Sequence, residues 1–235
     1  NFNESFRNII NFMYIHEDSS DFKDEFSTIN GSHISKYSSI QKSSVIQKNC
    51  VIGRGVEIGK NCIIKNNSVI KNAIIKDNVI IGDNTTIGST GFGFDLKSPG
   101  ATNIIPQIGI VYIDENTHIG SNCTIDRGKI DFTHIGKNCM IDNLVHIAHN
   151  VILGDNACLA AQSGISGSTL IGKNLISGGQ SGYAGHIKIG DNVIVAGKSG
   201  VTKNIKDNST IAGFPAIDIK EWKKLIIKQK KNGHK

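Results

Sequence analysis

The chain has 235 residues, 38% of them apolar, with 26 glycines and only 6% aromatics, so any core has to be filled by aliphatic side chains between tight turns rather than by large rings. Its formal net charge is +6, but residues 220–235 carry seven lysines against the single acid Glu221, so the rest of the chain is neutral overall, which argues against a basic nucleic-acid-binding stripe along the body. Five cysteines (Cys50, Cys62, Cys123, Cys139, Cys158) without a C-x-x-C pair argue against a disulfide framework and point to a reducing cytosol, and no apolar run approaches the roughly 20 residues that span a bilayer.

From the N-terminus, Phe2, Phe6, Ile9, Ile10 and Met13 recur at helical spacing and predict an amphipathic helix over 1–15. Residues 16–32 read as an acidic, Ser-rich linker, and 1–32 together as the remnant of a truncated domain. The chain begins at Asn1 and not at Met, so an N-terminal portion is expected to be missing.

A six-residue period then takes over. Aliphatic residues recur at Ile34, Ile40, Ile46, Ile52, Ile58, Ile64 and Ile70, slip by one, and resume at Ile75, Ile81 and Ile87. The series restarts at Ile113, Ile119 and Ile125, continues from Ile135 through Ile171, and keeps phase at Ile189, Val195 and Val201 although Ser177 and Tyr183 change the residue type. Glycine often follows the aliphatic position, and the residue four beyond it is small or β-branched, a slot that takes four of the five cysteines. Short strands joined by corners, three hexads to a triangular coil, predict a parallel β-helix over 33–214 of roughly eight or nine coils.

Two departures interrupt the period. Residues 89–112 must leave the prism as a loop, the kind of ordered excursion that binds ligands. A second break at 126–134 makes the step from Ile125 to Ile135 ten residues. Beyond Gly213-Phe214-Pro215, Trp222, Leu225 and Ile226 mark one side of a Lys-rich helix within 215–235, whose plain role is to cap the open end of the prism.

Of eight histidines, His16, His33 and His234 are expected in linker or tail, and His118, His134, His146, His149 and His186 on coils or beside the second break. His149 and His186 are 37 residues apart, two coils of 18 plus one, which predicts one shared edge. Each has small or apolar neighbours, and a neutral imidazole suits general-base chemistry near pH 7. A zinc site of the H-x-x-x-x-H kind found in gamma-class carbonic anhydrases does not match, because His146 and His149 are three apart; no metal and no bound cofactor are expected.

The run Asp142-Asn143-Leu144-Val145-His146-Ile147-Ala148-His149-Asn150, with I-D-R-G at 125–128, G-F-G-F at 91–94, P-Q-I-G at 106–109, G-I-S-G-S at 164–168 and G-Y-A-G-H at 182–186, resembles the UDP-3-O-acylglucosamine N-acyltransferases of lipid A biosynthesis. These are left-handed hexapeptide-repeat acyltransferases, and the likeness covers nearly the whole chain from about residue 30. It implies a cytoplasmic homotrimer with active sites between neighbouring prisms. The reaction it implies is transfer of a 3-hydroxyacyl chain from the phosphopantetheine arm of acyl carrier protein to the 2-amine of a UDP-linked sugar. His149 matches the general base, His186 the second active-site histidine, and the Gly167 N–H is a candidate oxyanion donor. Asp142, Asn143, Asn150, Phe92, Phe94 and Gln107 match substrate-binding positions, with a turn-forming role open for the Asp and Asn residues. Lys220, Lys223, Lys224 and Lys228 form a docking surface for the acidic carrier.

His146 stands where that family usually has Gln, and Phe94 where Tyr is common. Of the family's N-terminal uridine-binding domain only something like its last helix is present, at 1–15. Alternatives are a UDP-N-acetylglucosamine O-acyltransferase, another sugar-nucleotide N-acyltransferase, or a non-catalytic β-solenoid. The last is disfavoured because the exposed positions mix Lys, Asn, Asp and Ser without a regular array.

Overall fold

The fold is seen in a computed structural model that describes residues 24–94, 105–214 and 218–232. Among these residues the hexads become strands of two to four residues that stack into three faces of ten, nine and eight strands, parallel except for the first strand of the ten, about nine coils in all. One coil gives Met140–Ile141 to the nine-stranded face, His146–Ile147 to the ten-stranded face and Ile152–Leu153 to the eight-stranded face. Successive coils pair in register, Ile147 with Ile165 and Ile165 with Tyr183.

Each strand is short enough that alternation settles its packing. The first residue faces out and the second, the aliphatic one of the period, faces in, as with exposed His146 and fully buried Ile147. Burying such an isoleucine contributes roughly 1.5–3 kcal/mol, and the inward columns run unbroken from Ile52 to Val201.

The corners need a left-handed backbone residue, and asparagine fills most of them, for example Asn138, Asn156 and Asn174 at φ 56 to 59°. Along one corner their carboxamides form a ladder, each Nδ2 donating to the Oδ1 of the next, from Asn61 through Asn78, Asn116, Asn138, Asn156, Asn174 and Asn192 to Asn208 at 2.8–3.2 Å. The small slot completes the corner, because a hydroxyl or thiol there donates to a carbonyl of the next coil: Ser68 Oγ to Gly82 (2.8 Å), Thr117 Oγ1 to Gly136 (2.9 Å), Cys139 Sγ to Gly154 (3.4 Å). Burial pushes the Cys139 thiol up to about 11. Ser177 and Tyr183, which change residue type at inward positions, are both buried, and the Tyr183 hydroxyl donates to Ser177 Oγ at 2.7 Å.

The ends differ from expectation. The helix expected over 1–15 lies outside the described residues. The 16–32 stretch is not linker throughout: Phe26–Ile29 is a strand that pairs antiparallel with Ser32–Ser35 across Asn30-Gly31, whose φ values of 50° and 76° fit a tight hairpin turn. His33 therefore belongs to a strand. At the other end the helix is Ile219–Asn232, with Asp218 Oδ1 accepting the Lys220 and Glu221 N–H groups as an N-cap. Its Trp222 and Leu225 remain half exposed, so the helix does not bury its apolar side on the prism. No helix of the described residues is long and apolar enough to cross a membrane.

Both interruptions leave the prism at one corner, between the ten- and eight-stranded faces. The first lies between Thr86–Ser89 and Ile110–Ile113, and the second between Thr124–Asp126 and Phe132–Ile135. Each is shorter than the broken period suggests, because the flanking strands extend into it. They are joined by backbone bonds from Ile108 N–H to Lys129 O, Gly109 N–H to Gly128 O and Arg127 N–H to Ser89 O, all 2.9 Å, and by Arg127 Nε donating to Gly109 O. The I-D-R-G and P-Q-I-G segments thus meet.

Candidate active site

On the coil following these interruptions, the same corner carries His149, two residues beyond inward Ile147. A cavity of about 330 Å³ opens there, lined by Phe92, Gly93, Phe94, Ile105, Gln107, Lys129, His149, Asn150, Ser168 and His186. Asn150, Ser168 and His186 occupy the same left-handed corner position on three successive coils, at φ 59, 59 and 60°. A histidine in that conformation takes a place that asparagine fills elsewhere, and it aims the His186 ring from the corner.

The neighbours of His149 fix its tautomer. Asn150 Oδ1 accepts the Lys129 backbone N–H at 2.9 Å, which identifies that atom as the carbonyl oxygen and not the amide nitrogen. The same oxygen lies 3.1 Å from His149 Nδ1. An acceptor facing Nδ1 requires Nδ1–H, which leaves Nε2 with its lone pair. Asn150 is itself held by its own N–H on Thr133 Oγ1 at 2.9 Å.

Above the ring the column is glycine. A Cβ on Gly167 would lie 2.7 Å from both Nε2 and Cε1 of His149, so only glycine admits the imidazole. Gly167 O accepts the His186 N–H at 3.1 Å, while among the described backbone bonds the ladder passes from Ser166 N–H to Ser168 N–H and skips Gly167 N–H.

The aromatic loop residues form the rim. Phe92 is 81% exposed and stacks edge-on against Phe94 with centroids 4.5 Å apart. Gln107 is buried, and its Oε1 accepts the Gly91 N–H at 2.8 Å, so it braces the loop as well as lining the cavity.

Six of the expected residues, His149, His186, Asn150, Phe92, Phe94 and Gln107, therefore share one cavity, with Gly167 against His149. Asp142 and Asn143 are not brought there. They sit one corner away, between the nine- and ten-stranded faces, where Asp142 accepts the Asn143 and Ala161 N–H groups (2.7 and 3.2 Å) and Asn143 Oδ1 accepts the Ser121 N–H (2.7 Å). They line a separate groove of about 670 Å³ with Met140, Cys158 and Ile176. Lys220, Lys223, Lys224 and Lys228 lie on the C-terminal helix and line neither cavity. Lys129 lines the site without having been singled out in the sequence; its place in the second interruption was the available signal.

Comparison with known proteins agrees with the repeat. The family model described as bacterial transferase hexapeptide (six repeats) matches residues 37–72 and 132–167, and that of the hexapeptide repeat of succinyl-transferase matches 110–147. A UDP-3-O-acylglucosamine N-acyltransferase of Methylacidiphilum infernorum is 50% identical over 80 residues, 34% of this chain and 22% of that protein. The protein of the same name from Desulfotalea psychrophila is 47% identical over 139 residues, 59% of this chain and 40% of that protein. The chain thus spans well under half the length of these relatives. In fold it is similar to the UDP-N-acetylglucosamine acyltransferase of Francisella novicida, with TM-score 0.72, 24% identity, and coverage of 84% of this chain and 73% of that one. The corresponding enzyme of Campylobacter jejuni gives 0.70, 22%, 85% and 81%.

Proposed function

We propose that this chain is an N-acyltransferase that moves a 3-hydroxyacyl group from acyl carrier protein to the 2-amine of UDP-3-O-acylglucosamine in lipid A biosynthesis, the acceptor and bond type carried in the names of its relatives. The observation that carries the reading is the placement of one Asn150 Oδ1 against both the Lys129 N–H and His149 Nδ1, from which it follows that His149 Nε2 is left as a base in a cavity shared with His186.

The chemistry follows from that arrangement. The sugar amine attacks the thioester carbonyl, and His149 Nε2 takes the amine proton as the N–C bond forms. The tetrahedral oxyanion is stabilised by the Gly167 N–H and by His186. The C–S bond then breaks, and the thiolate recovers the proton from the His149 imidazolium. Phe92 and Phe94 offer apolar surface to the acceptor, and Gln107 keeps their loop in place.

Asp142 and Asn143 enter this reading through a second copy. A homotrimer of left-handed prisms brings the Asp142 edge of one chain beside the His149 corner of the next, and the apolar outward residues Met140, Ile176 and Ile194, each more than 40% exposed in the single chain, suit such contact. The lysines at 220, 223, 224 and 228 receive the acidic carrier. Five unpaired cysteines support a cytoplasmic setting.

Acyl transfer from a 3-hydroxyacyl carrier thioester, measured on UDP-3-O-acylglucosamine and on UDP-N-acetylglucosamine, tests the reading. Amide formation on the first acceptor is expected, with loss in His149→Ala. Full activity in that variant, or acylation of the second acceptor alone, defeats it.

A further inference from the structure

The I-D-R-G motif contains a buried charge that the mechanism above does not use. Asp126 follows inward Ile125, where a glycine commonly stands, and only 7% of it is exposed. Gly91 of the loop closes over it; a Cβ there would come within 2.5 Å of Asp126 Oδ2. On the strand stacked against Asp126's own, His146 Nε2 lies 3.7 Å from that same oxygen, and the His146 side chain is 49% exposed. The other ring nitrogen of His146 is 2.7 Å from Thr124 Oγ1, which fixes the ring over the carboxylate.

Among the described residues, His146 is the titratable group at that distance, and the pairing of Ile125 with Ile147 sets Asp126 level with Ala148, the residue that precedes His149. Burial raises its carboxyl above the ordinary value, and the charges of His146 and then His149 pull it back down. Arg127 beside it turns Nε to the Gly109 carbonyl, and Ser89 and Gly91 bring no titratable side chain.

We propose that Asp126 is a positioning residue whose single buried carboxylate serves two imidazoles at once, stabilising the imidazolium that His149 becomes during acyl transfer and coupling that site to protonation of the half-exposed His146. The inference rests on the acyltransferase reading for its catalytic half alone. Asp126 neither gains nor loses a proton in the cycle: the proton passes from the amine nitrogen to His149 Nε2 and then to the departing thiolate. A protonated His146 neutralises the carboxylate and repels charge on His149, so the two imidazoles compete for one anion.

Opposite shifts are therefore expected from two substitutions. In Asp126→Asn, which keeps the shape beneath Gly91, the acid limb of the kcat/KM profile moves to lower pH by about half a unit to one unit, and the plateau falls roughly tenfold. In His146→Gln the acid limb moves to higher pH. Limbs that stay in place, or that move in the same direction in both variants, overturn the proposal. The pairing is read separately by NMR titration of the imidazoles in the full chain without substrate. There His146 is expected to titrate at lower pH in Asp126→Asn, and an identical titration in both proteins overturns the shared carboxylate whatever the enzyme transfers. A shifted titration with no acylation of either acceptor upholds the pairing and locates the failure in the acyltransferase reading.

Discussion

The Asn150 side-chain oxygen and the His149 ring nitrogen Nδ1 stand 3.1 Å apart, and because that oxygen also holds the Lys129 N–H, the contact orients the imidazole and fixes its proton together. Removing the oxygen without disturbing the left-handed corner isolates its contribution. Asn150→Gly keeps the positive φ at little cost, so activity is expected to fall about 10- to 100-fold in kcat, with KM for either substrate changed less. His149→Ala should cost about 100-fold or more. Steady-state kinetics on both variants, with circular dichroism to verify the fold, gives the comparison; an Asn150→Gly enzyme of unchanged kcat would remove the orienting role.

Gly167 offers a second handle on the same ring. A methyl group there meets His149 at 2.7 Å, closer than real carbon atoms approach, so Gly167→Ala must push the imidazole aside. A misplaced catalytic group costs about 100-fold. The expected outcome is loss of turnover to that extent, with thermal stability lowered by no more than a few degrees. If turnover survives while the melting temperature collapses, the glycine matters for the coil and not for the base.

Inside the prism, Tyr183 and Ser177 replace two aliphatic residues with a hydrogen-bonded pair. Tyr183→Phe leaves the ring but removes the bond that Ser177 Oγ accepts, leaving that hydroxyl only its 3.5 Å contact with Gly178 O, and is expected to cost about 1 kcal/mol, whereas Tyr183→Ala opens a cavity and should cost about 3–5 kcal/mol. Denaturant unfolding measures both; equal losses would show that the hydroxyl, not the ring volume, carries the stability.

The same tyrosine gives the fold an alkaline edge. Burial pushes its hydroxyl up to about 12 from an ordinary value of 10.0, so the native state holds the proton over a range in which the unfolded chain releases it. The stabilisation is complete below about pH 10 and is lost as pH rises through about 12, a total on the order of 2–3 kcal/mol. Stability measured between pH 9 and 12 should decline less steeply in Tyr183→Phe than in the wild type, and parallel curves would refute the assignment.

The thiols divide by position. Cys50, Cys62, Cys123 and Cys139 are buried and Cys158 is exposed, and burial raises all four inner thiols. A thiol reagent at pH 8 is expected to modify no cysteine of the native protein other than Cys158, and to modify that one slowly where the proposed trimer covers its face, with five modified after unfolding; mass spectrometry identifies the site. Rapid native labelling at Cys139 would mean that the coils open far more readily than their packing implies.

How much of this was legible beforehand depended on whether a residue obeyed the period. Ile147 announced its inward place because its neighbours six away did the same, and His149 and His186 could be set on one edge by counting coils. Asp142 lies only seven residues before His149, yet it falls on a different corner, because in a triangular coil a few residues of sequence are a third of a turn in space. Phe26–Ile29 escaped because it pairs antiparallel and lacks the hexad, although Asn30-Gly31 is a recognisable hairpin signal. Asp126 could have been suspected from a charge following Ile125 where glycine is usual, but its burial depends on the arrival of Gly91 from a distant loop. The asparagine ladder was written into the sequence at coil spacing and was overshadowed by the aliphatic series.

Both interruptions, at 90–109 and 127–131, emerge from the corner that carries His149; the strands before them slip register once, between Ile87 and Ser89, and the strands after them pair in register. Excursions of differing length and composition can therefore be exchanged at that corner while the spacing of the coils stays constant. Under the proposed function, what the protein grips can change by editing the two interrupting segments, with the aliphatic columns and the carboxamide ladder serving as an unaltered ruler beneath them.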